Sequence, residues 1–226
     1  MKFIVFGLGN YGVSLSTKLV SLGHEVIGVD NKMEVVEKYK NQITHTIGLE
    51  ASSLEAVQSL PIKDVDVAIN AIGEGEGVNI MLTALLKQLN VKRIICRVIT
   101  PLQKTVLEAM GIEEFIYPEA DSAERMAYRL DLKGVIDSFK ISEDYQIIEV
   151  AAPERYFEKK IFEIDFHKFD IHPITIVRIV EEKNIFGTPH AVRKVLGVLT
   201  PSSAVNAGDR LLLFGTAENL EQFVEG

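Results

Sequence analysis

The first 135 residues alternate short apolar runs with stretches of helical spacing. Six runs have strand length, at residues 2–6, 25–30, 44–48, 65–71, 93–98 and 114–117. They are rich in Val and Ile and apolar on both alternating sets of positions, as a parallel sheet covered on both faces requires. Between them, Leu15, Leu19 and Leu22 fall at i, i+4 and i+7, and residues 78–89 are apolar almost all round, which predicts a buried helix. Such alternation implies right-handed crossovers and an open, doubly wound parallel sheet. Residues 121–132 carry Ala123, Met126, Ala127 and Leu130 on one helical face. That stripe suits either a sixth helix packed on its own sheet or a crossover helix buried against a second subunit.

After Gly134 the pattern changes. Residues 135–141 and 145–151 read as strands joined by a Ser142-Glu143-Asp144 turn. A helix is expected beyond Pro153, with Phe157, Ile161 and Ile164 on one side. Further strands are expected at 171–180, 195–199 and 210–215, with a closing helix through Leu220, Phe223 and Val224. The chain therefore divides into an α/β part, residues 1–134, and a small α+β part, residues 135–226.

Composition narrows the class. The chain has 226 residues, 47% of them hydrophobic, with 24 Lys+Arg against 32 Asp+Glu for a net charge of −8. That suffices for packed cores and suits two domains. No run approaches the ~18 apolar residues of a membrane span, and the opening MKFIVFGLGN is too short in its apolar part for a signal peptide. A net acidic chain is a poor generic nucleic-acid binder. The single cysteine, Cys96, precludes an internal disulfide and reads as a buried strand residue. A cytoplasmic protein is expected.

The first strand runs directly into Gly7-Leu8-Gly9-Asn10-Tyr11-Gly12, a G-x-G-x-x-G pattern. Gly7 permits a tight turn, Gly9 lets a pyrophosphate approach bare backbone, and Gly12 lets the following helix pack against the strand. The amide groups opening that helix then face the phosphates with its positive dipole end. The second strand ends in Asp30, followed by Asn31 and Lys32, where a carboxylate would accept hydrogen bonds from ribose hydroxyls. A 2′-phosphate there would bring like charges to about 4 Å, costing on the order of 4 kcal/mol, so adenine nucleotides or NAD are expected rather than NADP. The fourth strand leads into Ala71-Ile72-Gly73-Glu74-Gly75-Glu76-Gly77, which a doubly wound sheet places across the crevice from the first loop; its glutamates are expected to face solvent. The fold class is therefore α/β, a Rossmann-like doubly wound parallel sheet followed by a small α+β domain. A dehydrogenase also needs a proton-exchanging group and a substrate anchor. His24, His45, His167, His172 and His190 show no such placement, and neither Tyr-x-x-x-Lys nor Gly-x-Ser-x-Gly occurs.

Residues 2–30, 77–89 and 111–121 resemble the N-terminal RCK (regulator of K⁺ conductance) domain of Ktr/Trk-type potassium uptake regulatory subunits. Residues 161–165, 174–179 and 205–223, which include Asn206-Ala207-Gly208-Asp209-Arg210-Leu211, are similar to the C-terminal RCK domain. The resemblance implies a cytoplasmic gating subunit that binds ATP, ADP or NAD(H). It implies homodimers assembled into an octameric ring, which reach the inner face of the plasma membrane only through a potassium-conducting partner. On that basis the binding set comprises Gly7, Gly9, Asn10, Tyr11, Gly12, Asp30, Asn31, Lys32, Ala71, Ile72, Gly73 and Arg97, with Arg97 facing the nucleotide across the site. Glu119 corresponds to a glutamate that shares a divalent cation with the phosphates in some relatives. Asn10 stands where close relatives carry an arginine, and Lys32 where they carry an asparagine. No cyclic di-AMP site is implied, because residues 166–172 lack an arginine-rich pattern. The alternatives are an NAD-dependent oxidoreductase and, disfavoured by charge, an NAD-sensing transcription factor.

Overall fold

The computed structural model describes residues 1–131, 134–183 and 188–226, which form two compact units, Met1–Glu119 and Ala120–Gly226. In the first, strands β1 (Lys2–Phe6), β2 (Glu25–Asp30), β3 (His45–Gly48), β4 (Val67–Asn70), β5 (Ile94–Arg97) and β6 (Glu114–Ile116) form one sheet in the order β3-β2-β1-β4-β5-β6. Every pairing is parallel. Alternate strand residues feed two cores. Ile4, Phe6 and Ala68 pack with Leu82, Leu86 and Leu107, from helices α4 (Glu76–Gln88) and α5 (Pro101–Ala109), and with Val57 of α3 (Leu54–Gln58). Val5, Val67 and Ile69 pack with Leu15 and Leu19 of α1 (Asn10–Ser21) and Val35 of α2 (Met33–Tyr39). The sheet is thus covered on both faces, which explains strands without polar alternation.

Two helices depart from the pattern expected of them. In α1 the fully buried residues are Gly12 and Ser16, and Leu22, just past the helix, is 60% exposed. Small residues let α1 sit close to the sheet, and the leucines line its flank. In α4 the buried face includes the polar Asn79 and Thr83 beside Leu82 and Leu86, whereas Met81 is 49% exposed. The helix is buried on one side rather than all round.

Helix α6 (Pro118–Asp131) runs across the boundary between the units, and its stripe residues Met126 and Leu130 are 48% and 79% exposed. Within the second unit Arg125 and Glu124 pair with Asp137 and Lys140 of β7 (Val135–Lys140). With β8 (Tyr145–Ala151), β9 (His172–Lys183), β10 (Pro189–Val195) and β11 (Arg210–Thr216), β7 forms an antiparallel sheet in the order β10-β9-β11-β8-β7. Helix α7 (Ala217–Glu225) seals one face, burying Leu220 and Phe223, and Phe223 stacks on Tyr156 at 4.9 Å and on Phe166 at 5.4 Å.

Two expectations fail here. No α-helix follows Pro153. The segment makes three single 3₁₀ turns, Glu154–Tyr156, Ile161–Glu163 and His167–Phe169, interrupted by Glu158 at φ +68° and ended by Asp170 at φ +50°. Its main chain bonds instead to the 201–205 segment, as in Ile161 N–H to the Ser203 carbonyl at 2.9 Å, so tertiary pairing replaces helical bonding. The strand expected at 195–199 lies earlier, at Pro189–Val195, where β9 supplies its partners; Gly197, at φ +78°, turns the chain away. The strand expected at 171–180 likewise continues to Lys183. Residues 184–187, within the stretch that resembled nothing specific, lie outside the described residues, as does Leu132.

Candidate functional site

In a parallel sheet all carboxyl ends lie on one edge. Helices α1 and α4, which follow the adjacent strands β1 and β4, cover opposite faces, so a crevice opens between the two connections. Here it is a cleft of about 550 Å³. Its floor is the glycine loop. Gly7 takes φ +89°, and a side chain there would press on the Ile72 backbone at 3.0 Å. Gly12 lies beneath the floor, where a Cβ would collide with the Gly7 carbonyl oxygen well inside 3.0 Å. Gly9 differs from both. It has ordinary extended dihedrals, φ −68° and ψ −173°, and a Cβ built on it meets no atom within 4 Å. It caps α1 with no side-chain acceptor for the helix amides, leaving the positive end of the helix toward the cleft.

Asp30 braces this floor. One carboxylate oxygen accepts from Leu8 N–H at 2.8 Å, and the other from Lys32 N–H at 2.8 Å. Each oxygen keeps a lone pair for a further donor, so the carboxylate can hold the loop and still accept hydroxyl groups. Across the cleft, Arg97 lies over Gly73, where a Cβ would have to displace the guanidinium, and that guanidinium donates to the Ala71 carbonyl at 3.5 Å. It also pairs with Glu119. The Arg97 side chain is 15% exposed and its Nε has no partner.

The structure brings together Gly7, Gly9, Asn10, Tyr11, Asp30, Asn31, Lys32, Ala71, Ile72, Gly73, Arg97 and Glu119 on the cleft wall; Gly12 alone of the expected set supports it from below. Glu74 also lines the cleft, and Glu76 does not. None of the five histidines lines it. Sequence reasoning missed Glu50, with its neighbours Leu49 and Ala51. Glu50 receives the Ser52 hydroxyl at 3.0 Å and the Asn31 amide at 3.4 Å, and these bonds hold its carboxyl below the usual range. The available signal was positional: β3 pairs with β2, so its carboxyl end must open beside Asp30.

Among the described residues no three acidic, histidine or cysteine side chains are grouped to hold a metal. Glu119 offers one carboxylate, and Arg97 already neutralises it. Among the described residues, Glu119 therefore stands in the cleft as a single carboxylate and not as part of a three-ligand group.

Residues 3–118 match the TrkA-N domain family. Ktr system potassium uptake protein A of Bacillus subtilis is 28% identical over 222 residues, covering 98% of this chain and 95% of that protein. Ktr system potassium uptake protein C of the same organism is 26% identical with the same coverage. Among solved structures, the GsuK RCK domain superposes over 100% of this chain with a TM-score of 0.65 at 16% identity. This chain spans 48% of that structure's length. The GsuK channel bound to NAD gives a TM-score of 0.63 at 16% identity, over 39% of its length. These likenesses extend across both units and show that the two-part fold recurs.

Proposed function

This chain belongs to the TrkA-N domain family, and on that premise we propose that it is a nucleotide-sensing regulatory subunit of a potassium uptake system. It takes ADP, ATP or NAD(H) in the cleft between β1 and β4. The single observation that carries the nucleotide reading is Gly9. Fold geometry explains Gly7 and Gly12, but Gly9 has neither a positive φ nor a neighbour that excludes a side chain. What its bareness leaves room for is a ligand against the main chain at the amino end of α1.

The ligand follows the strand ends in order. Phosphates lie over Gly9 and the first turn of α1, the ribose meets Asp30, and the base reaches toward Leu49–Ala51 at the end of β3. Arg97 supplies positive charge on the phosphate side. Asn10 and Lys32 replace a fixed charge with a neutral amide and a mobile one, so discrimination among ATP, ADP and NAD(H) is expected to be shallow. A divalent cation at Glu119 would require phosphate oxygens as its other ligands. The relatives named as potassium uptake proteins support a binding module over the oxidoreductase alternative.

No helix among the described residues is long and apolar enough to cross a membrane. We place the protein in the cytoplasm, held to the inner membrane face by a potassium-conducting partner. The exposed stripe of α6 supports pairing of two copies, and an octameric ring of such dimers is the assembly proposed. As the functional division we propose residues 1–134, ending in α6, as the nucleotide-binding part and residues 135–226 as the second domain, although residues 120–131 of α6 group with the second compact unit.

A melting panel tests the reading. Ligand at 100 times its Kd adds about 2.7 kcal/mol to stability. ADP, ATP and NADH should each raise the melting temperature by several degrees while NADPH does not; no shift with any of them overturns the proposal. Light scattering should report a species near eight copies.

A further inference from the structure

We propose that Asn79 and Gln103 are positioning residues that tie the cleft wall at Ile72 and Arg97 to the first turns of α4 and α5, so that nucleotide occupancy is transmitted to those helices. The inference rests on the nucleotide reading above. Beyond the last β4–β5 pair, Asn70 with Cys96, the two strand ends are held by helix side chains. The Asn79 amide donates to the Ile72 carbonyl at 3.1 Å and to the Arg97 carbonyl at 3.2 Å. Gln103 donates to the same Arg97 carbonyl at 3.3 Å and accepts from Ile99 N–H at 2.8 Å. Asn70 closes the circuit, accepting from Ile72 N–H at 3.3 Å and donating to the Asn79 carbonyl at 2.8 Å.

Asn70, Asn79 and Gln103 are each at most 1% exposed. Asn79 Oδ1 has no partner at all. An orphaned buried oxygen works against folding, and a leucine would fill the space without one, so what the amide adds is its two donated bonds. Both go to carbonyls of residues that line the cleft. A phosphate that draws the Arg97 or Ile72 main chain toward it therefore pulls on Asn79 and Gln103. Those residues sit in the opening turns of α4 and α5, where the displacement arrives without passing through the sheet.

Hydrogen exchange on the full chain, with and without saturating ADP, tests this. Protection should appear at residues 7–13 and 71–73 and also, at least threefold, at Ile99 and in the first turns of α4 and α5. In Asn79→Leu and Gln103→Leu, ADP should bind about tenfold more weakly. Residues 7–13 should stay protected at saturation, and the helix protection should vanish. Wild-type protection confined to the loops overturns the proposal, as do variants that retain wild-type affinity and helix protection. No ADP-induced protection anywhere overturns it together with the nucleotide reading, so the two failures are distinguishable. The wild-type comparison stands even if a variant fails to fold.

Discussion

Replacing Gly9 by alanine separates a ligand's demand from the fold's. The new methyl has no protein atom within 4 Å and the dihedrals suit any residue. Alanine restricts the unfolded chain, a gain of about 0.4–1 kcal/mol, and is a poorer helix cap than glycine by a similar amount. The two offset, and the melting temperature should stay within about 3 °C of wild type. Binding should behave otherwise. A phosphate oxygen bonded to a main-chain amide sits roughly 2.9 Å from nitrogen, and a methyl there would push it back by about 1 Å. Two charge-assisted bonds lost or stretched remove about 3 kcal/mol, or on the order of a hundredfold in affinity. Calorimetric titration with ADP, paired with a melt of the same preparation, measures both. Gly12→Ala is the contrasting control, because its methyl strikes the Gly7 carbonyl; overpacking of about 1–3 kcal/mol should lower stability as well as binding. If Gly9→Ala binds ADP within threefold of wild type, the reasoning is refuted.

Other consequences are equally direct. Asp30→Ala removes the acceptor for Leu8 and Lys32 amides as well as for the ribose, so NADH affinity should fall at least about tenfold and its preference over NADPH should shrink; calorimetry with both cofactors checks it. In the second unit, Arg178→Ala would leave Asp209, whose side chain is 1% exposed and takes two of the guanidinium's bonds, with the Asn206 N–H at 2.7 Å but without its cation. Urea unfolding should show a loss of about 3 kcal/mol, the low end for a broken buried pair because Arg178 is partly solvated. The Arg125 guanidinium holds the Asp137 carboxyl below its usual range. The pair's stabilisation is therefore present above about pH 4 and is lost as pH falls through the lowered value, and Arg125→Ala should flatten the acid limb of a melting-temperature profile. Burial pushes the Cys96 thiol up, so Ellman's reagent should label it only after unfolding.

The order of strands and helices in residues 1–118 was legible because fully covered strands carry an unbroken apolar code, which local pattern alone reveals. The glycine loop and Asp30 were equally legible, since both depend on backbone geometry at fixed spacing within one βαβ unit. Glu50 could be reached only through the strand order. Its place in the cleft depends on β3 lying beside β2, a long-range pairing that no local spacing encodes. The region after Pro153 misled for a related reason. Phe157, Ile161 and Ile164 have helical spacing, yet the backbone of Glu158, Lys159, Ile161 and Phe162 bonds to residues 201–205, and non-local partners outweighed propensity. The same holds for the Asn70, Asn79 and Gln103 circuit. In sequence it reads as scattered polar residues in apolar helices and strands, and only the assembled sheet with its packed helices makes it a connected group. Local periodicity and backbone freedom were enough to make the fold class and the geometry of the glycine loop readable from the amino-acid order. Which side chains meet across strands was settled only on folding, because burial and hydrogen-bond partners are properties of the packed chain.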